Sequence, residues 1–479
     1  MSLLIEWRSL VMKSRVLLLV ALALCAPAGL LGQSIHLAPH EKVVLKNGLT
    51  VLLLEKHGVP IVNIEAIVKT GSAADPAGQD GLASITAGLL RKGTKSRTAQ
   101  QFATEMDFTG GSFESGAGPD FSSVSVEVLN KDISRGLDLF SDALLRPVFP
   151  QDETQKLLAQ TLDSVRSAKD DPRSVLREYY NGYLFNGTGY GRPADGDETS
   201  LTKIQRDAIV KFYETYYGPD NTILAVAGDF QAADMKKKLE EVFGQWPSKH
   251  VTAVKIPASP PAKVKKLLLV DKPDATQTYF AIGNVGTATG DPDRVAIRLV
   301  NTVFGGRFTS QLNEALRVES GLSYGANSSF DSRKAPGPFG IYSFTKNAST
   351  AQAIDLALQV LEKLHKQGIS AAELASAKSY IKGQFAPTIE TSKQLAHLIA
   401  INEFYGLNDS EVNDLEARID AVTLPMTHQV IQKHYPTDSL VFTLIGKSSE
   451  IGPAVKKYAE KQDSRPITAP GFWPAASEK

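Results

Sequence analysis

The sequence predicts an α+β fold in which two similar domains follow one another along the chain. The length of 479 residues exceeds what a single hydrophobic core normally supports. Similar segments recur at a nearly constant spacing, which indicates a duplicated unit. Within each half, the predicted strands and helices form separate clusters and do not alternate regularly, as is typical of the α+β class.

The repeat is visible in two pairs of segments. FYETYYGPDNTILAVAGDF (212–230) resembles VIQKHYPTDSLVFTLIGKS (430–448), at an offset of 218 residues. The segment beginning with DPAGQDGLAS at Asp75 resembles the one beginning with DPDRVAIRLV at Asp291, at an offset of 216 residues. One such match could be coincidence, but two at nearly the same offset favour a duplicated unit of about 215 residues.

The N-terminal residues 1–32 are typical of a secretory signal, with an alternative start at Met12. Lys13 and Arg15 precede a short apolar run, which is too short for a permanent membrane helix. We expect secretion, with cleavage after Ala28 or Gly32.

Cys25 is the only cysteine, and it lies within the predicted signal. Leu24 is larger than the small residue that usually precedes a lipid-modified cysteine, so lipid anchoring at Cys25 is not favoured. Cleavage after Cys25 leaves no thiol, which excludes disulfides and cysteine-ligated zinc.

Local patterns place the elements of the first half in order. Residues 49–69 predict two strands around a Gly58-Val59-Pro60 turn, and the alternation in 121–129 predicts a half-buried strand. Apolar residues at helical spacing predict four helices, over 81–94, 98–110, 132–147 and 232–246.

The predicted division places a proline-rich linker between the two domains, because prolines stiffen a chain that has few large apolar residues. The parts are an N-terminal domain over 36–245, the linker over 246–266, a C-terminal domain over 267–465 and a tail over 466–479.

Composition excludes several functions. Lys plus Arg and Asp plus Glu both count 52, so the net charge is zero, which argues against nucleic acid as the main partner. Of the eight histidines, only His36 and His40 stand four residues apart, and Pro39 interrupts any helix there. We interpret this pair as part of a solvated tail. The sequence contains no phosphate-binding loop with a terminal Lys-Ser/Thr and no G-x-S-x-G motif.

Two longer motifs resemble those of the pitrilysin/insulinase-like zinc metallopeptidases (inverzincins), in particular the bacterial type in which two half-clamshell chains pair. They are TGSAADPAGQDGLASITAGLLRKGT in the first half and FGGRFTSQLNEALRVESGLSYGANSSF in the second. The resemblance covers nearly the whole mature chain. It implies that the two domains form half of a clamshell, and it suggests a bacterial periplasmic location.

The metal positions of the family motif are altered. The resemblance places Ser84, Ala87 and Gly88 where the family has His-x-x-Glu-His, whose histidines bind zinc and whose glutamate activates water. The third ligand position falls at or beside Ser164, next to Asp163. Catalytic zinc needs three protein ligands, which these residues cannot supply. We therefore expect no metal in this chain. Glu114 stands where the family has an asparagine in the strand beside the site.

The second-half residues of the family are present. By resemblance, Arg317 and Tyr324 match the pair that contacts the substrate backbone near the scissile carbonyl. Arginine stays charged, and tyrosine can donate to a carbonyl that gains negative charge. We expect Gly321 to end the helix that carries Arg317 and the next strand to begin over Leu322–Tyr324. Without a family role, the pair would be a surface salt bridge and a sheet-packing tyrosine.

The resemblance favours a non-catalytic, substrate-binding subunit of a secreted zinc peptidase complex, inactive alone. A zinc-motif-bearing partner, in a heterodimer or larger assembly, would supply zinc and the general base for hydrolysis of unfolded peptides. A standalone peptide-binding or scaffolding homodimer that uses its sheet edges remains an alternative. A peptidase active by itself would need ligands that the sequence lacks.

Overall fold

The computed structural model describes residues 36–473, and the segment Ala38–Lys479 forms one compact unit. The predicted signal with Cys25, and residues 474–479 of the predicted tail, lie outside the described residues. In the described part of the tail, Ile467 and Phe472 are buried.

The first sheet has six strands in the order β1-β2-β6-β3-β5-β4. Its strands are β1 (Glu41–Val44), β2 (Thr50–Glu55), β3 (Ile61–Val68), β4 (Ser112–Ala117), β5 (Ser122–Leu129) and β6 (Thr222–Gly228). Only the β2–β6 pair is parallel. β6 is buried along its whole length, whereas β5 alternates between buried and half-buried residues, as its sequence predicts.

The second sheet repeats this arrangement in the order β12-β7-β11-β8-β10-β9. Its strands are β7 (Lys266–Asp271), β8 (Gln277–Val285), β9 (Ala326–Phe330), β10 (Pro338–Lys346), β11 (Val441–Gly446) and β12 (Lys461–Pro466). The central pair β7–β11 is again parallel, and the partner of β11 on its other side is antiparallel. The edge strands differ, since β1 is antiparallel to its neighbour and β12 is parallel. The predicted α+β fold with two similar domains is confirmed.

Helices surround the sheets. In the first half they are α1 (Leu82–Leu89), α2 (Ala99–Phe108), α3 (Ile133–Leu145), α4 (Gln151–Ala168), α5 (Pro172–Leu184), α6 (Arg206–Tyr216) and α7 (Ala232–Phe243). In the second half they are α8 (Arg294–Phe304), α9 (Gln311–Asn313, continued by a π-helical turn over Glu314–Glu319), α10 (Thr350–Gln367), α11 (Ala371–Phe385), α12 (Ser392–Tyr405), α13 (Ser410–Asn413), α14 (Leu415–Ala421), α15 (Leu424–His434) and α16 (Ser448–Val455).

Short 3₁₀ turns complete the described secondary structure. They are Ser72–Ala74, Asn130–Asp132, Gly189–Gly191, Leu201–Lys203, Pro219–Asn221, Asn347–Ser349, Ala386–Ile389 and Lys456–Tyr458. Capping boxes begin three of the helices: Thr98 with Gln101, Ser370 with Glu373, and Thr391 with Gln394.

Two helices are exchanged between the halves. Helix α5 belongs to the first half but packs on the second sheet, where the buried Tyr180 hydroxyl donates to the Phe339 carbonyl at 2.6 Å. Helix α12 belongs to the second half but packs on β3 and β6 of the first sheet. Each sheet therefore depends on a helix from the other half for the cover of one face.

Residues 246–265, between α7 and β7, contain neither helix nor strand, and β7 begins at Lys266. The first part of this segment is tied down, because Asp220 accepts hydrogen bonds from the backbone of Lys249 (3.0 Å) and Val251 (3.1 Å). Among the helices described within residues 36–473, none has the length and apolar character needed to cross a membrane.

Candidate functional site

Helix α1 keeps a firm position although its predicted metal ligands are absent. The buried Asp75 carboxylate accepts hydrogen bonds from the backbone amides of Gly81 and Ala83, both at 2.9 Å, and so caps the start of the helix. Burial raises the pKa of Asp75 to about 7, while these amides and Arg192 lower it. Six of the eight residues of α1 are buried, so the prediction of a packing helix over 81–94 is confirmed.

The residues at the three motif positions of α1 do not fit a zinc ion. The Ser84 hydroxyl donates to Asp195 at 2.7 Å, and Ala87 is fully buried. A Cβ atom added at Gly88 would lie 3.1 Å from Leu157 Cδ2 of α4, so even the first atom of an imidazole side chain would be crowded there. None of these side chains offers an imidazole or a carboxylate.

The predicted third position is also unsuitable. Ser164 and Asp163 lie on α4 and are exposed. The Asp163 carboxylate is 3.8 Å from Arg166, and its side chain is 76% exposed. A serine hydroxyl and one solvated carboxylate do not complete a three-ligand site.

One other group of described residues brings three potential metal ligands within 4.8 Å of one another, namely Asp291, Asp293 and His434. It lies in the second half, away from the family motif, and sequence spacing alone did not reveal it. Asp293 already has positive neighbours, since Lys433 Nζ lies at 2.7 Å and His434 Nε2 at 2.9 Å. These contacts hold the pKa of Asp293 below its usual value.

Arg317 and Tyr324 line the same cavity, which has a volume of about 760 Å³. Arg317 lies on the π-helical turn after α9, and Gly321 follows in the left-handed region at φ 62°. The expectation that the next strand begins over Leu322–Tyr324 is wrong, because β9 begins at Ala326.

Both side chains are available to a ligand. Tyr324 is 78% exposed and so does not pack in a sheet. The Arg317 guanidinium lies 4.7 Å from the centre of the Phe308 ring. Within residues 36–473, neither side chain makes a hydrogen bond or an ion pair, so Arg317 is not part of a surface salt bridge.

Strand β10 anchors the loop that carries Tyr324. Thr345 Oγ1 donates to the Leu322 carbonyl at 2.7 Å, and Ser343 Oγ donates to the Gly325 carbonyl at 2.9 Å. The Asn313 side chain joins the other two segments of the cavity. It donates to the Phe308 carbonyl at 2.6 Å and accepts from the Ala326 amide at 3.2 Å. The loop is therefore fixed while the side chain of Tyr324 remains free.

A second cavity, of about 670 Å³, lies at the related position of the first sheet, between β3, β4 and β5 and the start of α12. Glu114, on β4, accepts hydrogen bonds from Lys393 Nζ at 2.7 Å. The buried Glu65 carboxylate lies 2.9 Å from His397 Nδ1, and this bond raises the pKa of His397. Each cation named here has a carboxylate partner.

Comparison with protein families identifies the class. Residues 50–198 match the model described as insulinase (peptidase family M16), and residues 203–381 match the model described as peptidase M16 inactive domain. The chain belongs to the insulinase-like M16 family, and the predicted resemblance is confirmed.

Relatives and solved structures agree with this assignment. An uncharacterized zinc protease of Bacillus subtilis is 22% identical over 86% of this chain and 99% of its own length. One from Rickettsia bellii is 29% identical over 63% of this chain and 72% of its own. The crystal structure of a peptidase M16 inactive domain from Pseudomonas fluorescens has a TM-score of 0.80, with 24% identity, and covers 85% of this chain and 98% of its own. A protease from Helicobacter pylori has a TM-score of 0.78, with 21% identity, and covers 85% of this chain and 100% of its own. At these identities, the structural matches establish the fold alone.

Proposed function

We propose that this chain is the non-catalytic, substrate-binding subunit of a secreted zinc metallopeptidase complex of the bacterial periplasm. A partner chain with an intact His-x-x-Glu-His motif supplies the metal and the general base. The observation that carries this proposal is the contrast between the two halves. The cavity with Arg317 and Tyr324 is complete and open, whereas α1 carries Ser84 and Ala87 at metal-ligand positions.

The chemistry assigned to this chain follows from its free donors. The Arg317 guanidinium donates hydrogen bonds to substrate carbonyl oxygens and stays charged at neutral pH. The Tyr324 hydroxyl donates to a carbonyl oxygen on which negative charge develops. Donors fixed before the reaction stabilise that charge without reorganisation, and the loop bonds from Ser343 and Thr345 provide this fixation.

The test is reconstitution. The chain is mixed with the zinc-motif chain encoded beside it in the same genome, and peptidase activity is measured for the separate chains and for the pair. We expect activity only in the pair. Arg317→Ala and Tyr324→Phe should each lower kcat by about 10²–10³, the usual effect of losing one donor to an oxyanion.

Arg135→Ala is the matched control. Arg135 also lies over an exposed phenylalanine ring, Phe108, at 5.6 Å, but on the first half and outside the cavity. It should leave kcat unchanged, and all variants should keep their melting temperature and their co-elution with the partner. Unchanged kcat/KM in both cavity variants would contradict the proposed role.

A standalone peptide-binding homodimer is the second candidate. β9 is an edge strand of its sheet, and Ala326 and Asn327 of this strand line the cavity, so an extended peptide could pair with it. This candidate predicts a dimer of the chain alone and peptide binding without cleavage in any mixture. Size-exclusion chromatography of the chain with and without its genomic neighbour separates the two functions.

A further inference from the structure

The cavity that holds Arg317 and Tyr324 has an unbalanced charge. Four arginines line it: Arg173, Arg177, Arg307 and Arg317. No aspartate or glutamate is among the residues of 36–473 that line it. Guanidinium groups are not deprotonated in proteins, so the cavity carries four positive charges at any physiological pH.

None of these four arginines has a carboxylate partner among the described residues. Arg177 has only long contacts, at 3.4 Å, from both terminal nitrogens to Ser329 Oγ. Arg307 donates from Nη1 to Ser376 Oγ at 2.9 Å, while its Nε is buried without a hydrogen-bond partner. A buried donor left without a partner costs about 1–3 kcal/mol, which a bound acceptor would recover.

Aromatic rings hold the guanidinium groups in place. Arg177 lies 4.0 Å from the centre of the Tyr342 ring, and Arg173 lies 5.1 Å from that of Phe344. A stacked guanidinium keeps the N–H groups on its edge free to form paired hydrogen bonds with a carboxylate. Because stacking already restricts these side chains, less conformational entropy is lost on binding.

The second cavity shows that this imbalance is not a general property of the fold. Arg173 and Lys393 are separated by 220 residues, as are Arg177 and His397, so the two pairs occupy matching places on α5 and α12. Lys393 and His397 are paired with Glu114 and Glu65. Only the cavity with the predicted substrate contacts lacks such internal carboxylates.

We infer that this cavity binds the side-chain carboxylates of an acidic peptide segment, so that the substrates of the complex are peptides rich in Asp and Glu. The inference deepens the proposed function and rests on it for the word substrate. The volume of about 760 Å³ is within the range of specific ligand sites. Tyrosine and phenylalanine rings beside the arginines would contact the aliphatic parts of the acidic side chains.

The test uses the purified chain alone and measures the anisotropy of fluorescent peptides. The probe is a peptide with four consecutive glutamates and blocked ends, and its control has glutamines at those positions. We expect the glutamate peptide to bind at least tenfold more tightly, with an affinity that falls as salt is raised. A third peptide, with glutamines and a free C-terminal carboxylate, should bind like the glutamine control.

Variants locate the binding site. Arg173→Gln and Arg177→Gln should each weaken binding of the glutamate peptide about tenfold, the loss expected when a charged hydrogen-bonded pair is removed. Arg135→Gln, outside the cavity, should not change it. Melting temperatures establish that each variant is folded, and the exposed positions of Arg173 and Arg177 favour this.

Equal affinity for the glutamate and glutamine peptides would overturn the inference. So would equal losses in Arg135→Gln and Arg177→Gln, or binding that depends only on the free C-terminal carboxylate. Full displacement of the glutamate peptide by an equal concentration of inorganic phosphate would assign the cavity to small anions instead. None of these measurements involves a partner chain or cleavage, so failure of reconstituted activity remains a separate result.

Discussion

At the scale of single residues, Asp75 shows how the frame of the family motif outlasts its chemistry. Its carboxylate joins the loop before α1 to the first turn of that helix through two backbone amides. Arg192 donates to the backbone carbonyls of the same loop, at 2.8 Å for Pro76. These contacts position α1 whether or not it carries metal ligands, which explains why the helix remained recognisable in the sequence.

Asp75 predicts a pH dependence of stability. Burial raises the pKa of Asp75 to about 7, above the value near 3.8 of an unfolded chain. Its stabilising contribution is therefore complete below about pH 4 and is lost as the pH rises towards 7. The melting temperature should fall more between pH 5 and pH 8 in the wild type than in Asp75→Asn. Parallel profiles would contradict the raised pKa.

The same substitution should also lower stability at every pH. An asparagine can accept one of the two amide hydrogen bonds but not both, which should cost about 1 kcal/mol of unfolding free energy. Asp274→Asn is the matched control, since Asp274 pairs only with Lys272 at the surface. Chemical denaturation at pH 5 measures both variants.

At the scale of elements, the sequence predicted more of the fold than of the site. Apolar periodicity located the helices and strands of the first half, and the 216-residue repeat indicated the second sheet. Tyr324 was placed wrongly because Ser323 bonds locally, accepting from the Gly325 amide at 3.1 Å and so competing with strand pairing. Arg173 and Arg177 were missed because helical spacing identifies an exposed face but not the cavity that it faces.

Gly305 links α8 to β9 and provides a test of this part of the site. An added Cβ would lie 2.5 Å from the Ser328 amide nitrogen, whose hydrogen bond to the Gly305 carbonyl is 3.0 Å. Gly305→Ala should therefore push β9 away and reduce the free energy of unfolding by about 1–3 kcal/mol. In the proposed complex it should also lower kcat, because the Tyr324 loop precedes β9.

Gly290→Ala is the control for this prediction. A Cβ at Gly290 would have no neighbour within 4 Å, so this variant should be nearly neutral. Denaturant titration of both variants decides the matter, and equal stability of the two would refute the close packing of Gly305.

At the scale of the whole molecule, the exchange of α5 and α12 ties the two halves together. Repeat patterns reveal the duplication but not this exchange, because an amphipathic helix does not specify which of two similar sheets it covers. The predicted division at 246–266 therefore separates two stretches of sequence that depend on each other for packing. The mobility predicted for that segment stays a prediction.

Limited proteolysis tests this dependence. Trypsin should cut first at Lys255, which is exposed in a stretch without helix or strand, and more slowly at Lys249, whose amide is bonded to Asp220. The two fragments should still elute together under native conditions, because α5 and α12 each bury an apolar face on the opposite half. They should separate in denaturant. Native separation after cleavage would contradict the exchange.

The same exchange makes the order of synthesis unequal for the two sheets. Helix α5 is complete before the ribosome makes any strand of the second sheet, which can fold directly onto it. The first sheet is finished at β6, about 160 residues before α12 begins. At about 5–20 residues per second, the apolar face of the nascent first sheet waits on the order of 10–30 seconds for its cover. Chaperone capture of the growing chain should therefore concentrate on this sheet and end once α12 has emerged.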